Sequence, residues 1–182
     1  MNCAGVRAAQ GVGRASGGWA VLLCLLLLIP AARAEDAYQI KAAFIFNFTK
    51  FITWPAEMEQ QGGDLRLCLF QGNPFGDYVF QLEGRKVRNF YLRVVQPKTA
   101  AELGQCHIVY LMPDKDIEQV LAAIASQPVL TIADHDDFTR QGGGIQLMSE
   151  NNRIRFDVNL QRIKACGLDI SSKLLHLARQ VM

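Results

Sequence analysis

Past residue 34 the chain alternates short apolar runs with helical stripes of apolar residues, and this rhythm is its strongest structural signal. Residues 37–54 contain neither Gly nor Pro, and Ile40, Phe44, Phe48 and Phe51 recur at helical spacing on one face. Ile45, Phe46 and Ile52 lie on other faces, with Asn47, Thr49 and Lys50 as the polar break. A helix this apolar around its girth is expected to be buried against more than one element. Pro55 ends it, because the residue before a proline disfavours helical backbone.

The remaining pattern predicts strands and helices in turn. Residues 65–70 read as a short apolar strand, 72–76 as a Gly-Asn-Pro turn and 77–82 as a short helix. In 87–95, Phe90, Leu92 and Val94 share one side with Arg88 near the start, while Asn89, Tyr91 and Arg93 face the other way, as on an edge strand. Residues 106–112 form a continuous apolar run, as in a central parallel strand covered on both faces. Residues 114–126 carry the stripe Ile117, Val120, Leu121 and Ile124 of an amphipathic helix, and 129–133 form another buried strand. A helical turn near 138–141 precedes the break at Gly142-Gly143-Gly144. Residues 145–148 and 154–158 then read as a hairpin with Asn151-Asn152 at its tip. Asn159 is placed to cap a helix over 160–166 that Gly167 terminates. Residues 170–181 predict a last helix, capped by Ser171 or Asp169, with Leu174, Leu177, Ala178 and Val181 inside. This succession predicts an α/β fold with a mixed, mainly parallel central sheet, helices on both faces and a C-terminal antiparallel hairpin.

The first 34 residues follow a different logic. The apolar run 21–29 is preceded by Arg7 and Arg14, with no acidic residue before Glu35, and is followed by Pro30 and Ala32-Arg33-Ala34. A basic region, a short apolar run and a small-x-small site are the layout of a secretory signal peptide cut after Ala34. The expected domains are therefore a signal peptide, 1–34, and one α/β domain, 35–182, exported from the cytoplasm.

Charge changes meaning once that segment is set aside. It holds three of the 19 basic residues (Arg7, Arg14, Arg33) and none of the 17 acidic ones, so the remainder carries a net −1 rather than the +2 of the whole chain. Arg85, Lys86 and Arg88 are the densest basic cluster, and a solvated turn explains them; nothing draws this chain to nucleic acid. Cys68, Cys106 and Cys166 remain, and in an oxidising compartment one pair is expected to close. Cys68 and Cys106 lie in segments that could be neighbouring strands, which leaves Cys166 as the odd one.

Candidate chemistry is sparse. The histidines, His107, His135 and His176, show no metal-ligand spacing, and the serines and glycines match no nucleophile elbow, P-loop or dinucleotide fingerprint. The sequence supplies no catalytic set, no metal site and no cofactor motif. A small-molecule cleft is the chemical alternative. It belongs at the carboxyl edge of the sheet, where open α/β folds bind ligands, at Asn73, Phe75, Asp134 and His135.

Three stretches carry a resemblance. Ala42-Ala43-Phe44-Ile45-Phe46-Asn47-Phe48-Thr49-Lys50-Phe51-Ile52-Thr53-Trp54-Pro55 resembles the opening helix of the YfiR family of periplasmic regulators. Gly142-Gly143-Gly144-Ile145 with Arg155-Phe156-Asp157-Val158-Asn159 is similar to that family's glycine turn and hairpin, with Gly144 where methionine is frequent. Gly167-Leu168-Asp169-Ile170-Ser171-Ser172-Lys173-Leu174-Leu175-His176-Leu177-Ala178 resembles its C-terminal signature. Cys68 and Cys106 match cysteines that some members join, whereas the late pair of members with a second bridge is represented only by Cys166. The resemblance implies a non-enzymatic repressor. It would bind the periplasmic sensor domain of an inner-membrane diguanylate cyclase, lower cyclic di-GMP and restrain biofilm formation. An outer-membrane lipoprotein that sequesters it is a further implied partner, and a homodimer is left open. The partner surface is expected on segment 168–177, at Leu168, Ile170 and Leu175, as an exposed apolar patch.

Overall fold

A computed structural model describes residues 29–112 and 117–182. The chain divides into two units, 1–34 and 35–182, and the second carries the sheet, the cores and the sites described below. The expected signal segment lies outside the described residues apart from 29–34, as does the start of the helix expected from residue 114.

The sheet is built from β2 (Gly63–Phe70), β3 (Lys86–Val87), β4 (Phe90–Val95), β5 (Ile108–Leu111), β6 (Leu130–Ala133), β7 (Ile145–Glu150), β8 (Arg153–Val158) and β10 (Gln180–Val181). Their order is β10-β8-β7-β6-β5-β2-β4-β3. The run β4, β2, β5, β6, β7 is parallel throughout, with Leu67 opposite Val94 on one side and Ile108 on the other. Counted in chain order those five strands run 2-1-3-4-5, so the direction of winding reverses between β2 and β5. The β7–β8 pair is the expected hairpin, closed by Asn151 and Asn152. Both have positive φ, 51° and 59°, as a tight primed turn requires. A second, two-stranded sheet pairs β1 (Ile52–Thr53) antiparallel with β9 (Asp169–Ile170).

Alternation along the strands fills two cores. Leu65, Leu67, Leu69, Ile108, Tyr110 and Ile132 face a large cluster completed by α1 (Ile29–Thr49), by Val79 and Leu82 of the 3-10 helix Gly76–Leu82, and by Ile163 of α4 (Leu160–Ala165). Cys68, Phe70, Val109, Leu111 and Ala133 face the opposite cluster. Its cover is Ile117, Val120 and Leu121 of α3 (Ile117–Ala123) and Leu103 of the 3-10 helix Ala100–Gln105. Within the run 106–112, residues 108–111 are buried without a break because β5 is covered on both sides, whereas His107 just before the strand is half-buried. The short helix α2 (Ala56–Gln61) follows β1 and buries none of its residues.

Several expectations are corrected. The first helix stops at Thr49, and Ile52 leaves it to pair with Ile170. Its buried face runs through Ala42, Ile45, Phe48 and Thr49, whereas Ile40 is 45% exposed and Phe44 and Phe51 are only partly buried. Thr49 is no polar break: its hydroxyl donates to the Phe46 carbonyl, which lets it be buried. The strand expected over 87–95 is interrupted at Arg88, whose φ of 52° makes the β3–β4 turn. Of the final helix only α5 (Ser172–Leu175) forms, and Gln180–Val181 leaves it as β10 to lie beside β8. Leu177 and Val181, expected inside, are exposed as a result. The glycine break has a steric cause: a Cβ on Gly143 would sit 2.3 Å from the Phe138 ring, closer than any side chain can approach.

Candidate functional site

The carboxyl ends of β2, β5 and β6 converge where the winding reverses, and α1 crosses over them. Asn73 organises the turn after β2: its carboxamide accepts from the Phe75 N–H at 3.0 Å and donates to the Gly76 carbonyl at 2.9 Å. That turn drives Phe75 into the core, edge-on to Tyr110 at 4.6 Å between centroids and to Tyr38 of α1 at 5.7 Å. Asp134, just past β6, receives a hydrogen bond and ion pair from Lys41 Nζ at 2.6 Å, with side-chain exposures of 7% and 9%. Lys41 also sits 4.4 Å from the Tyr38 ring centroid.

The electrostatics follow from burial. Desolvation pushes Asp134 up, but the Lys41 hydrogen bond, aided by the nearby Tyr110 and Tyr38 hydroxyls, outweighs it and holds the carboxyl below the usual range. Burial first, and the Asp134 charge second, push the Tyr38 hydroxyl up to about 12. The same two causes push Tyr110 up, so both tyrosines stay neutral donors. The Tyr110 hydroxyl is buried yet falls short of hydrogen-bond geometry with any group. Both His135 ring nitrogens are likewise buried and unpartnered, the ring lying 5.0 Å from that of Phe138. The structure thus brings Phe75 and Asp134 together, holds Asn73 in the neighbouring turn and turns His135 toward Phe138. Asp134 and Asp137 diverge, since Asp137 pairs with Arg140 instead.

The other expected site residues sort by their depth. Cys68 and Cys106 form a disulfide with Cα atoms 6.0 Å apart, tying β2 to the start of β5, and Cys166 is a buried free thiol. Burial pushes the Cys166 thiol up, against the opposing charge of Arg162. Leu168 and Ile170 are core residues, 3% and 7% exposed, so they form no exposed patch. The local cause is the end of α4. Gly167 has φ 73°, its N–H bonds to Lys164 O, and the Leu168 N–H bonds back to Ile163 O. This Schellman geometry sets the residue after the glycine against the last turn, and Ile170 then enters β9. Leu175 is half-buried, and Leu177 beyond it is 65% exposed.

Reading the sequence missed Lys41, Tyr38 and Tyr110. Lys41 left one signal, a lone cation beside the apolar run of the first helix. His107, just before β5, is half-buried at a cleft of about 490 Å³ with Asp64, Arg66 and Cys106. Its Nδ1 accepts from the Arg66 N–H at 2.9 Å, and burial, then Arg66, lowers its pKa, so the ring is neutral with its proton on Nε2. Among the described residues no three His, Cys, Asp or Glu side chains are grouped to hold a metal ion, and no helix is long and apolar enough to cross a membrane.

A family model described as YfiR/HmsC-like matches residues 38–179. Among solved structures, that of a conserved domain protein from Vibrio cholerae O1 biovar eltor is similar at 10% identity and TM-score 0.45, over 65% of this chain and 55% of that one. The ABC domain in complex with L-Trp from Streptococcus pneumonia is similar at 9% identity and TM-score 0.43, over 66% of this chain and 55% of that one. The chain spans just over half the length of each, and at these scores neither likeness bears on function.

Proposed function

The chain belongs to the YfiR/HmsC-like family, and from that membership we propose that it is an exported, non-enzymatic regulator of diguanylate cyclase signalling. In this reading it is cut after Ala34, works in the periplasm and holds the sensor domain of an inner-membrane diguanylate cyclase inactive. Cyclic di-GMP then stays low and biofilm formation is restrained. The observation that carries the reading is the family match over 38–179, which takes in the first helix, both cores and the C-terminal segment. The Cys68–Cys106 bridge supports it, because such bridges persist in oxidising compartments.

The partner contact stays on the C-terminal segment but shifts within it. Leu168 and Ile170 are core, whereas Leu177 is 65% and Val181 42% exposed, with half-buried Leu175 before them. The experiment is a pull-down from detergent-solubilised inner membrane with the protein as bait, read together with cellular cyclic di-GMP. Capture of a membrane cyclase, lost in Leu177→Asp along with repression while export is kept, supports the reading. Capture of no cyclase, with cyclic di-GMP unchanged on deletion of the protein, refutes it.

A second reading, a polar solute at the carboxyl edge, rests on the Tyr110 hydroxyl, which is buried near Phe75 and Asp134 without full hydrogen-bond geometry to either. Buried polar groups without partners call for a ligand or water. Native mass spectrometry of the purified protein tests it, since a retained small molecule supports this reading and bare protein counts against it.

A further inference from the structure

Between α1 and the 3-10 helix Gly76–Leu82 lies a groove of about 280 Å³ that belongs to neither the partner contact nor the carboxyl edge. Ala42, Phe46, Asn47 and Lys50 form one wall, and Tyr78 and Arg85 the other. Lys50 Nζ and Arg85 Cζ each lie 4.5 Å from the centroid of the same ring, that of Phe46. They can therefore be no more than about 9 Å apart, twice that distance.

Of the other cations in this stretch of chain, Arg88 pairs with Glu59 and Arg93 with Asp64 and Glu83, while exposed Lys86 has no ion pair among the described residues. Among the described residues, Lys50 has the Asn47 carboxamide, at 2.9 Å, and the Phe46 ring, and the Arg85 guanidinium has that ring. Among the described residues neither has a carboxylate partner in the groove or beside it. Each head makes a modest contact with the ring while remaining exposed at the groove.

We propose that this groove binds a small organic anion, a carboxylate or phosphate monoester on an apolar body. The anionic head bridges Lys50 and Arg85, which removes their mutual repulsion and makes charge-assisted hydrogen bonds to both. The apolar body lies along Ala42 and Phe46 beside Tyr78, with the carboxamides of Gln39, Asn47 and Gln81 at the rim. The volume sits at the small end of ligand pockets, roughly 300–1,000 Å³, which limits the ligand to a compact molecule. This site is separate from the carboxyl edge and stands or falls independently of the repressor reading.

The test is a titration of the purified full chain with phenyl phosphate, phenylacetate and the neutral benzyl alcohol, followed by backbone amide resonances. Saturable shifts at Gln39, Asn47, Tyr78 and Gln81 with both anions are expected, with benzyl alcohol at least about tenfold weaker. Lys50→Met and Arg85→Met should each weaken binding about five- to tenfold, and together remove it. Lys164→Met, an exposed cation on α4, should leave it unchanged. Both tested side chains reach solvent, and the amide spectrum of each variant reports its fold directly. Shifts mapped elsewhere, equal binding of benzyl alcohol, no saturation by about 10 mM, or undiminished affinity in the double variant overturns the proposal. If no anion binds but the double variant loses capture of the cyclase, the groove is a protein contact and the proposal is likewise wrong.

Discussion

Replacing Asp134 by asparagine tests the pair that ties α1 to the end of β6. Lys41 Nζ and Asp134 Oδ2 are 2.6 Å apart with side chains 9% and 7% exposed, so water does little to screen or replace the contact. The neutral carboxamide would keep the volume but leave Lys41 a buried cation without its counterion. Breaking one side of such a pair typically destabilises by about 3–5 kcal/mol. With a urea slope of about 2 kcal/mol/M, the midpoint should fall by roughly 1.5–2.5 M. Acid provides a second readout. The Asp134 pKa is depressed in the fold, so its contribution is present above the unfolded carboxylate value, about 3.9, and is lost as pH falls through the lower native value. Asp134→Asn should therefore flatten the acid limb of the stability profile. The double variant Lys41→Met, Asp134→Leu removes both charges and should recover most of the loss, since apolar replacement of a whole buried pair is often neutral or better. Urea titrations from pH 7 down to pH 2 measure all of this. A midpoint within about 0.3 M of the parent for Asp134→Asn, or a double variant as unstable as the two single losses combined, would refute the reasoning.

Four further outcomes follow from the same structure. Reducing the Cys68–Cys106 bridge, which closes 38 residues of chain, should lower stability by roughly 4 kcal/mol, read as a shift in the urea midpoint with and without reductant. Gly143→Ala should destabilise by about 1–3 kcal/mol through the Phe138 ring, and pairing it with Phe138→Leu should relieve part of that loss if the clash is the cause. Leu168→Ala should destabilise by about 2–5 kcal/mol and Leu177→Ala by less than about 0.5, a contrast that thermal melts will show or deny. Cys166, buried and with a raised thiol pKa, should react with a thiol reagent only as fast as the chain opens, so its labelling should accelerate with urea.

Much of the fold was legible because its rules are local. The buried run 108–111 marked a strand covered twice, and Asn151-Asn152 marked a turn with positive φ. Asn159 caps α4 as expected, accepting from the Arg162 N–H at 2.8 Å. Gly167 ends α4 as expected, but the apolar count of the segment suggested a surface at Leu168, which the Schellman turn instead sets against the helix. The family was written in the same short motifs.

What the chain alone could not give were choices between elements far apart in it. Lys41 meets Asp134 across 93 positions, and no spacing rule joins them. Ile52 leaves one helix and Ile170 fails to start another because the two pair with each other, an exchange visible only once both strands exist. Gln180 and Val181 obey helical spacing yet lie beside β8, whose free edge offered backbone hydrogen bonds that a frayed helix end did not. Lys50 and Arg85 share one aromatic ring only because a 3-10 helix folds against α1. Propensity and periodicity act over a few residues, so the sequence by itself determined elements and turns. Burial of charge, strand partners and clefts arise where distant segments meet, and there only the tertiary structure decided.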